Sequence, residues 1–401
     1  MNILLYCNSF LPSIGGREMV IHYLAKNLRS IGHNVRVAGV TGWWRYRKLS
    51  FGYPVHRWPT LRGLIDKTIK IAQLQLECSI WKTDIIHAHN TYPSGYIAAK
   101  ACDKNHIPLV ITPHGMDIHV IPELGFGHRL DPIKKKMSDY ALSGAVLTTA
   151  ISANIKHSLN KAGVTDEKIR SIPNGIDLER FQKNDAIDIR QHYKLPQDAQ
   201  IILAVGNYHK RKGLELLIEA MPQILSYKKN VFLLIAGRSD DILKKSVQNL
   251  KLHKNVVLTG PIQFPTSALL SVKRSSQQQA DQIDLLAAIY LQSDVYVSAS
   301  MNEGAEGLSL ALLDAAAAGL PIVATDISGN RDIVEDGKNG YLVPPADHES
   351  LAQAIIKILT DRQISNSFGE KNRIASEKYS WRKIAGKYLD VYKEAIGKIN
   401  G

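Results

Sequence analysis

Short apolar runs alternate with amphipathic stretches along most of the chain. Residues 3–7 are apolar and stop at Asn8, Ser9 and Pro12. After Gly15-Gly16, a helical spacing runs through Val20, Leu24 and Leu28. It ends at Gly32-His33, where a second apolar run, Val35-Arg-Val-Ala-Gly-Val40, begins. This order predicts strand, glycine-bearing loop, helix, strand. The unit recurs with a strand at Asp84-Ile-Ile-His-Ala-His89, a helix near 95–100, and strands at 109–112 and 145–150. It restarts at Ile201-Ile-Leu-Ala-Val-Gly206, with a helix over 213–225 and strands at 231–236, 256–258 and 295–297. A helix over 309–318 then leads into a strand at 321–324. Apolar runs without strict alternation suit strands buried on both faces, so the expected class is α/β with doubly wound parallel sheets.

The rhythm breaks between residues 182 and 200, a polar stretch containing Pro196, and a domain boundary is expected there. Two such domains would face one another across a cleft at the carboxyl ends of their strands, where open α/β sheets bind ligands. Residues 275–282, Ser-Ser-Gln-Gln-Gln-Ala-Asp-Gln, read as a polar surface insertion.

Composition sharpens this picture. With 401 residues, 45% hydrophobic and 22% charged, the chain has ordinary globular composition. Lys and Arg number 50 against 37 Asp and Glu, a formal charge of +13 that favours anionic partners. Three cysteines without a Cys-x-x-Cys spacing argue against a disulfide framework or a zinc site. The first residues lack a basic, then apolar, leader pattern, and no apolar run is long enough to span a bilayer. A cytoplasmic protein is expected, with peripheral attachment to the inner membrane face as a further expectation. That attachment rests on residues 41–70. There Arg45, Arg47, Lys48, Arg57, Arg62, Lys67 and Lys70 stand against Asp66, interleaved with Trp43, Trp44, Tyr46, Phe51, Tyr53 and Trp58. Such a mixture suits an anionic membrane surface. The alternative is a solvated basic face with its aromatic residues tucked into the domain. No nucleic-acid-binding signature accompanies the charge, so nucleic acid is not an expected partner.

The stretch with most chemical content is Glu306-Gly-Leu-Ser-Leu-Ala-Leu-Leu-Asp314, followed by Ala315-Ala-Ala-Ala-Gly-Leu-Pro-Ile-Val-Ala324. Small and apolar residues from Leu308 onward predict a helix packed on a sheet, with Glu306 in the loop before it. Free N–H groups at such a helix start favour an anion, and carboxylates suit sugar hydroxyls. An acid complementing the helix dipole and an ordinary solvated aspartate would look the same. Taken singly, the other candidates also have ordinary readings: Gly15-Gly16 as a tight turn, His114 as a satisfied loop histidine, Lys212 as a solvated charge before a helix.

Taken together, these residues resemble the large family four of retaining glycosyltransferases, which have the GT-B fold. Glu306 to Asp314 is similar to that family's E-x7-E region. Gly15-Gly16-Arg-Glu18 resembles its first glycine loop, Pro113-His114-Gly115-Met116-Asp117 its His-Gly motif, and Asn174-Gly175-Ile-Asp177 its Asn-Gly-x-Asp signature. Val205-Gly206 through Lys212-Gly213 resembles its phosphate loop, and Trp381, Tyr388 and Tyr392 a C-terminal helix that crosses back. The order matches and nearly the whole chain is covered. The resemblance implies a Rossmann-like acceptor-binding domain at 1–185, a Rossmann-like nucleotide-sugar-binding domain at 196–375, and a returning helix at 376–401.

It also implies roles. Glu306, with the backbone of Gly307, Leu308 and Ser309, would contact the transferred sugar. Asp314 would hold the ribose, Lys212 would neutralise the leaving diphosphate, Gly15 and Gly16 would admit the phosphates, and His114 would sit by the sugar. Two departures stand out. Asp314 is one methylene shorter than the family's usual glutamate. Asn207 replaces a phosphate-loop arginine, a loss that Lys210 or Arg211 would have to make good. The implied reaction moves a sugar from a nucleoside diphosphate sugar, UDP-sugar first and GDP-mannose second, to a glycan or lipid-linked acceptor in bacterial surface polysaccharide or glycolipid assembly. No cofactor is expected, and the chain has no Asp-x-Asp triplet, so a required metal is not expected either. The competing expectation is a nucleotide-sugar-binding scaffold that has lost catalysis.

Overall fold

The computed structural model describes residues 1–13, 15–40, 51–59, 63–182, 187–262, 284–302 and 307–400. Glu306, Trp43, Trp44, Tyr46 and the polar insertion at 275–282 lie outside them. The chain divides into two compact units. One comprises Met1–Gly175 with Trp381–Gly401, the other Ile176–Ala268 with Arg274–Ser380.

The first unit holds seven strands: β1 (Asn2–Tyr6), β2 (Asn34–Val40), β3 (Val55–Arg57), β4 (Ile85–His89), β5 (Leu109–Thr112), β6 (Leu147–Ala150) and β7 (Ile169–Ser171). All pair in parallel, in the order β3-β2-β1-β4-β5-β6-β7. Ile3, Leu4, Leu5 and Tyr6 are all buried, which explains why β1 is a continuous apolar run: helices cover both faces of the sheet. The helix Gly16–Ser30 buries Val20, Leu24 and Leu28, the positions its spacing picked out. The helix Trp381–Asn400 belongs to this unit. Trp381 stacks on Tyr23 with centroids 5.8 Å apart, and Tyr388 and Tyr392 are fully buried. A Cβ on Gly175 would stand 2.4 Å from the Trp381 ring, so the turn before the unit boundary tolerates no side chain.

The second unit holds β8 (Gln200–Val205), β9 (Val231–Ala236), β10 (Val256–Gly260), β11 (Val295–Ser298), β12 (Ile322–Thr325) and β13 (Gly340–Val343), parallel and ordered β10-β9-β8-β11-β12-β13. One core lies on each face. The helix Leu214–Tyr227 contributes Leu217, Ile218 and Met221 to one, and the helix Leu310–Ala317 contributes Leu312 and Leu313 to the other. The break between units falls at Gly175 and Ile176, ahead of the polar stretch expected to hold it. Within that stretch Ile189 and Leu195 are buried in the second unit's core, so it is part of the domain and not a linker.

In the described part of the basic, aromatic segment, the second of its two readings holds for the aromatic residues. Phe51, Tyr53 and Trp58 are buried, Arg57 donates to the carbonyl of Leu11, and Lys70 is buried against Asp66 at 2.8 Å. These described residues stabilise the domain and offer nothing to a membrane. Exposed apolar surface lies instead on the helix Gly63–Trp81, where Ile65, Ile69, Leu76 and Ile80 face solvent.

Candidate functional site

Each sheet has one point where the strand order reverses, so that the connections of two neighbouring parallel strands leave to opposite sides, and loops leaving such a point make a crevice at the strands' carboxyl ends. In the second unit it lies between β8 and β11. The β8 loop carries Gly206, Asn207 and a short turn, Lys210–Lys212, before the helix Leu214–Tyr227. Lys212 is half-buried, and its Cε would lie 3.7 Å from a Cβ on Gly206, so its side chain runs back over the strand end. The carbonyl of Arg211 accepts a hydrogen bond from the N–H of Met301, at 2.8 Å, in the loop that leaves β11. The two loops are thereby joined at adjacent strand ends. Lys210 is exposed at the rim. Asn207 is exposed too, and its Oδ1 accepts from the N–H of Arg238 at 3.0 Å, so its side chain braces the loop after β9.

The β11 loop leads through Gly307, Leu308 and Ser309 into the helix Leu310–Ala317. Ser309 is the N-cap, yet its side chain makes no capping hydrogen bond, and the first N–H groups of a helix have no partner within it. The side chain of Leu308 is buried in the core. Asp314, in the second turn, pairs with Nη1 of Arg180 at 3.6 Å, and Arg180 also grips Asp284 at 2.7 Å. Burial pushes the Asp314 carboxyl up from 3.8 to about 6. Arg180 opposes that rise, and the carboxylates of Asp284 and Asp177 add to it.

A carboxyl raised on folding stabilises the fold fully below its unfolded pKa, and the contribution is lost as pH climbs through the folded value. Between about pH 4 and pH 7, Asp314→Asn should therefore gain on the wild type by on the order of 1–3 kcal/mol. Urea midpoints of both proteins across that range measure it. A constant difference would show that the buried carboxyl does not titrate as described.

In the first unit the corresponding point lies between β1 and β4. Gly15 caps the helix Gly16–Ser30 in an extended conformation, without a side-chain capping bond. Arg17 and Glu18 pair at 2.7 Å in its first turn, and a Cβ on Gly15 would meet the Glu18 carboxylate at 2.5 Å. Cys7 follows β1, but burial pushes its thiol up to about 12, so it is no nucleophile. His114 follows β5 and is half-buried. Its backbone N–H donates to Oδ1 of Asp117 at 2.9 Å, while Oδ2 accepts from the N–H of Thr91 at 2.6 Å. One buried aspartate thus ties the loops after β4 and β5 together. Between β4 and that tie, Asn90 holds φ at 90°, a costly conformation for a residue other than glycine and one that clusters at functional sites. Nε2 of His114 meets Nδ1 of His89 at 3.0 Å. Burial, then the charge of Arg17, then His87 push the His114 pKa well below its usual value, so its ring is neutral.

Comparison with known proteins identifies the family. Residues 14–180 match the model described as glycosyltransferase family 4, and residues 199–361 match the one described as glycosyl transferases group 1. The chain belongs to the family 4, group 1 glycosyltransferases. An N-acetyl-alpha-D-glucosaminyl L-malate synthase of Bacillus anthracis is 24% identical over 401 residues, covering 96% of this chain and 95% of the relative. A phosphatidyl-myo-inositol mannosyltransferase of Mycolicibacterium smegmatis is 29% identical over 228 residues, 56% of this chain and 52% of its own. Among solved structures, Anabaena HepE in complex with UDP superposes with a TM-score of 0.77 at 19% identity, covering 98% of this chain and all (100%) of that one. Sucrose-phosphate synthase from Thermosynechococcus elongatus gives 0.77 at 21%, with 99% of each chain covered. The fold is GT-B.

In this glycosyltransferase, the Lys210–Lys212 turn is joined through Arg211 to Met301 of the β11 loop, and the charge of Arg17, next to Gly16, acts on His114. Three residues escaped the sequence reading. Arg180, which holds Asp314, follows the Asn-Gly-x-Asp signature by three positions, and its charge beside a buried turn was the available signal. Arg17 sits inside the glycine motif itself. His89 is the second member of a His-x-His pair in an apolar run, and a polar residue in a fully buried strand is the mark of a built network.

Proposed function

We propose that the protein is a retaining glycosyltransferase that moves a sugar from a nucleoside diphosphate sugar to an acceptor hydroxyl without a divalent metal. The junction of Arg211 with Met301 carries this reading, because it places a lysine and an uncapped helix start at the ends of adjacent strands within one domain. Those two features stabilise the charge that grows on a departing diphosphate. The sugar's anomeric C–O bond to the diphosphate breaks, the acceptor oxygen bonds to the same face, and the acceptor proton passes to the leaving phosphate. His114 serves the sugar, Asp314 the ribose, and Glu306 the sugar by resemblance. UDP is the first choice of nucleotide because the HepE structure holds it; GDP, as in GDP-mannose, is the second. The relatives' names support an acceptor in glycan or glycolipid assembly.

Incubation with UDP- and GDP-sugars, with and without EDTA, tests the reading through the anomeric configuration of the product. Retention with EDTA-insensitive turnover supports it. Inversion, or a rate abolished by EDTA and restored by metal, overturns it. The commitment of Asn207 to the loop after β9 favours the scaffold alternative, and a nucleotide-induced rise in melting temperature without any sugar transfer would establish that alternative.

No described helix is long and apolar enough to cross a membrane. A lipid-linked acceptor would instead be met at an anionic surface, supported by the +13 charge and by the exposed face of the helix Gly63–Trp81, where Ile65 and Ile80 are 67% and 73% exposed. Leu76→Asp together with Ile80→Asp should reduce co-sedimentation with phosphatidylglycerol vesicles at least about fivefold. Unchanged sedimentation would remove the membrane from the account.

A further inference from the structure

A buried histidine pair sets what His114 can do. The rings of His89 and His114 lie 5.3 Å apart and close to parallel, with Nδ1 of His89 and Nε2 of His114 sharing one hydrogen bond of 3.0 Å. Neutral imidazole carries one proton, so that bond has two forms. Either His89 donates and His114 keeps its own proton on Nδ1, or His114 donates and His89 keeps its proton on Nε2.

The surroundings of His89 choose between them. His89 is fully buried, and its Nε2 has no hydrogen-bond partner among the described residues. A proton there would be a buried, unsatisfied N–H, one of the rarest defects in folded proteins. The nearby Arg17 adds to this preference: its positive potential, which helps to depress the His89 pKa, stabilises a lone pair and repels an N–H. His87 fixes the ring's other side. It lies 4.2 Å from His89, and both of its nitrogens are already engaged, by the Tyr392 hydroxyl at 2.7 Å and by Thr112 Oγ1 at 2.6 Å. It has no free nitrogen to offer His89.

We propose that His89 is a positioning residue for His114: it donates its Nδ1 proton to Nε2 of His114 and holds His114 as the Nδ1–H tautomer, a neutral hydrogen-bond donor toward the ligand. His114 then gives a hydrogen bond to an oxygen of the sugar or its phosphate and takes no proton, since its only basic nitrogen is occupied. The arrangement also ties the tautomer to the helix Trp381–Asn400, because Tyr392 anchors His87 and His87 backs His89. The inference rests on the assignment of His114 to the transfer site, but the tautomer belongs to the resting protein and is measurable without turnover.

Two-bond proton–nitrogen correlation spectra of the full chain labelled with 15N-histidine distinguish protonated from unprotonated ring nitrogens. The His114 signals are assigned by their loss in His114→Asn. The expected result is a protonated Nδ1 on His114 in the wild type. His89→Asn, whose amide also donates, should keep it, and His89→Leu should lose it. In turnover, His89→Leu should lower kcat about tenfold with donor KM changed less than about twofold, while His89→Asn stays within about threefold of the wild type. A protonated Nε2 in the wild type overturns the proposal, as does a tautomer that His89→Leu leaves unchanged or a folded His89→Leu with normal kcat. If His89→Leu does not fold, the wild-type tautomer and the His89→Asn spectrum decide. A chain that transfers no sugar would refute the proposed function, and the spectra would still report on the histidine pair.

Discussion

Lys212→Ala is expected to lower kcat/KM for the nucleotide-sugar donor about 100- to 1,000-fold, the loss typical of one preorganised group facing developing charge. The lysine sits in the Lys210–Lys212 turn where the β8 loop meets the β11 loop, half-buried over Gly206. A partly desolvated ammonium acts on a diphosphate more strongly than the exposed Lys210 can. With Asn207 bracing the loop after β9, no guanidinium at that position shares the task. Lys212→Arg should recover only part of the rate, because a planar fork does not occupy the space of a compact ammonium. The measurement is initial rate against donor concentration, with nucleoside monophosphate affinity as the control. A loss under about threefold would remove Lys212 from the diphosphate, and an equal loss of monophosphate binding would point to a distorted loop.

The largest structural effect should follow Gly213→Ala. Gly213 holds φ at 61°, and a Cβ there would stand 2.0 Å from the carbonyl oxygen of Ala299, with Met301 Cγ at 3.1 Å. The left-handed conformation alone costs an alanine about 1–2 kcal/mol. The carbonyl cannot yield as a flexible side chain would, because it lies in the backbone just beyond β11, next to the bond from Met301 to Arg211. A total near 3 kcal/mol is expected, or about 6–12 °C in melting temperature for a domain of this size. Gly337→Ala separates the two terms. Its φ is 70°, but nothing lies within 4 Å of the added Cβ, so only the conformational cost of about 1–2 kcal/mol remains. Equal effects of the two substitutions would mean that the β11 loop gives way freely, and the loop junction would not be rigid enough to position Lys212.

These effects depend on details of unequal legibility in the chain. Strands such as β1, β5 and β9 showed as continuous apolar runs because both faces of each sheet are covered. The helices after β1 and β8 showed through their spacing and their glycines. The three-residue strands β3 and β7 gave no period long enough to read. The aromatic residues at 51, 53 and 58 left two readings open, since a Trp or Tyr in a basic stretch looks the same whether it faces lipid or packs inward, and their burial decided for the second. Residue types at the site were legible by resemblance, their partners were not. Asp314 reads as a carboxylate; that Arg180 and Asp284 surround it, and that burial lifts it to about 6, depends on chain segments far apart in sequence.

By itself, the sequence determined the α/β class, the recurrence of the strand–loop–helix unit, the positive charge and the motifs that mark a family 4 glycosyltransferase. Each of these is a local pattern: apolar periodicity, a glycine at a turn, a residue at a fixed offset. Tertiary structure alone decided the strand order that puts the β8 and β11 loops side by side, the burial that neutralises His114, and the pairing of His89 with it. It also decided that Ile189 and Leu195, in the polar stretch expected to be a boundary, belong to a core. The physical reason is common to all of them. Strand order, desolvation and hydrogen-bond partnership are set by groups that meet only after the chain has folded, and no local spacing carries that information.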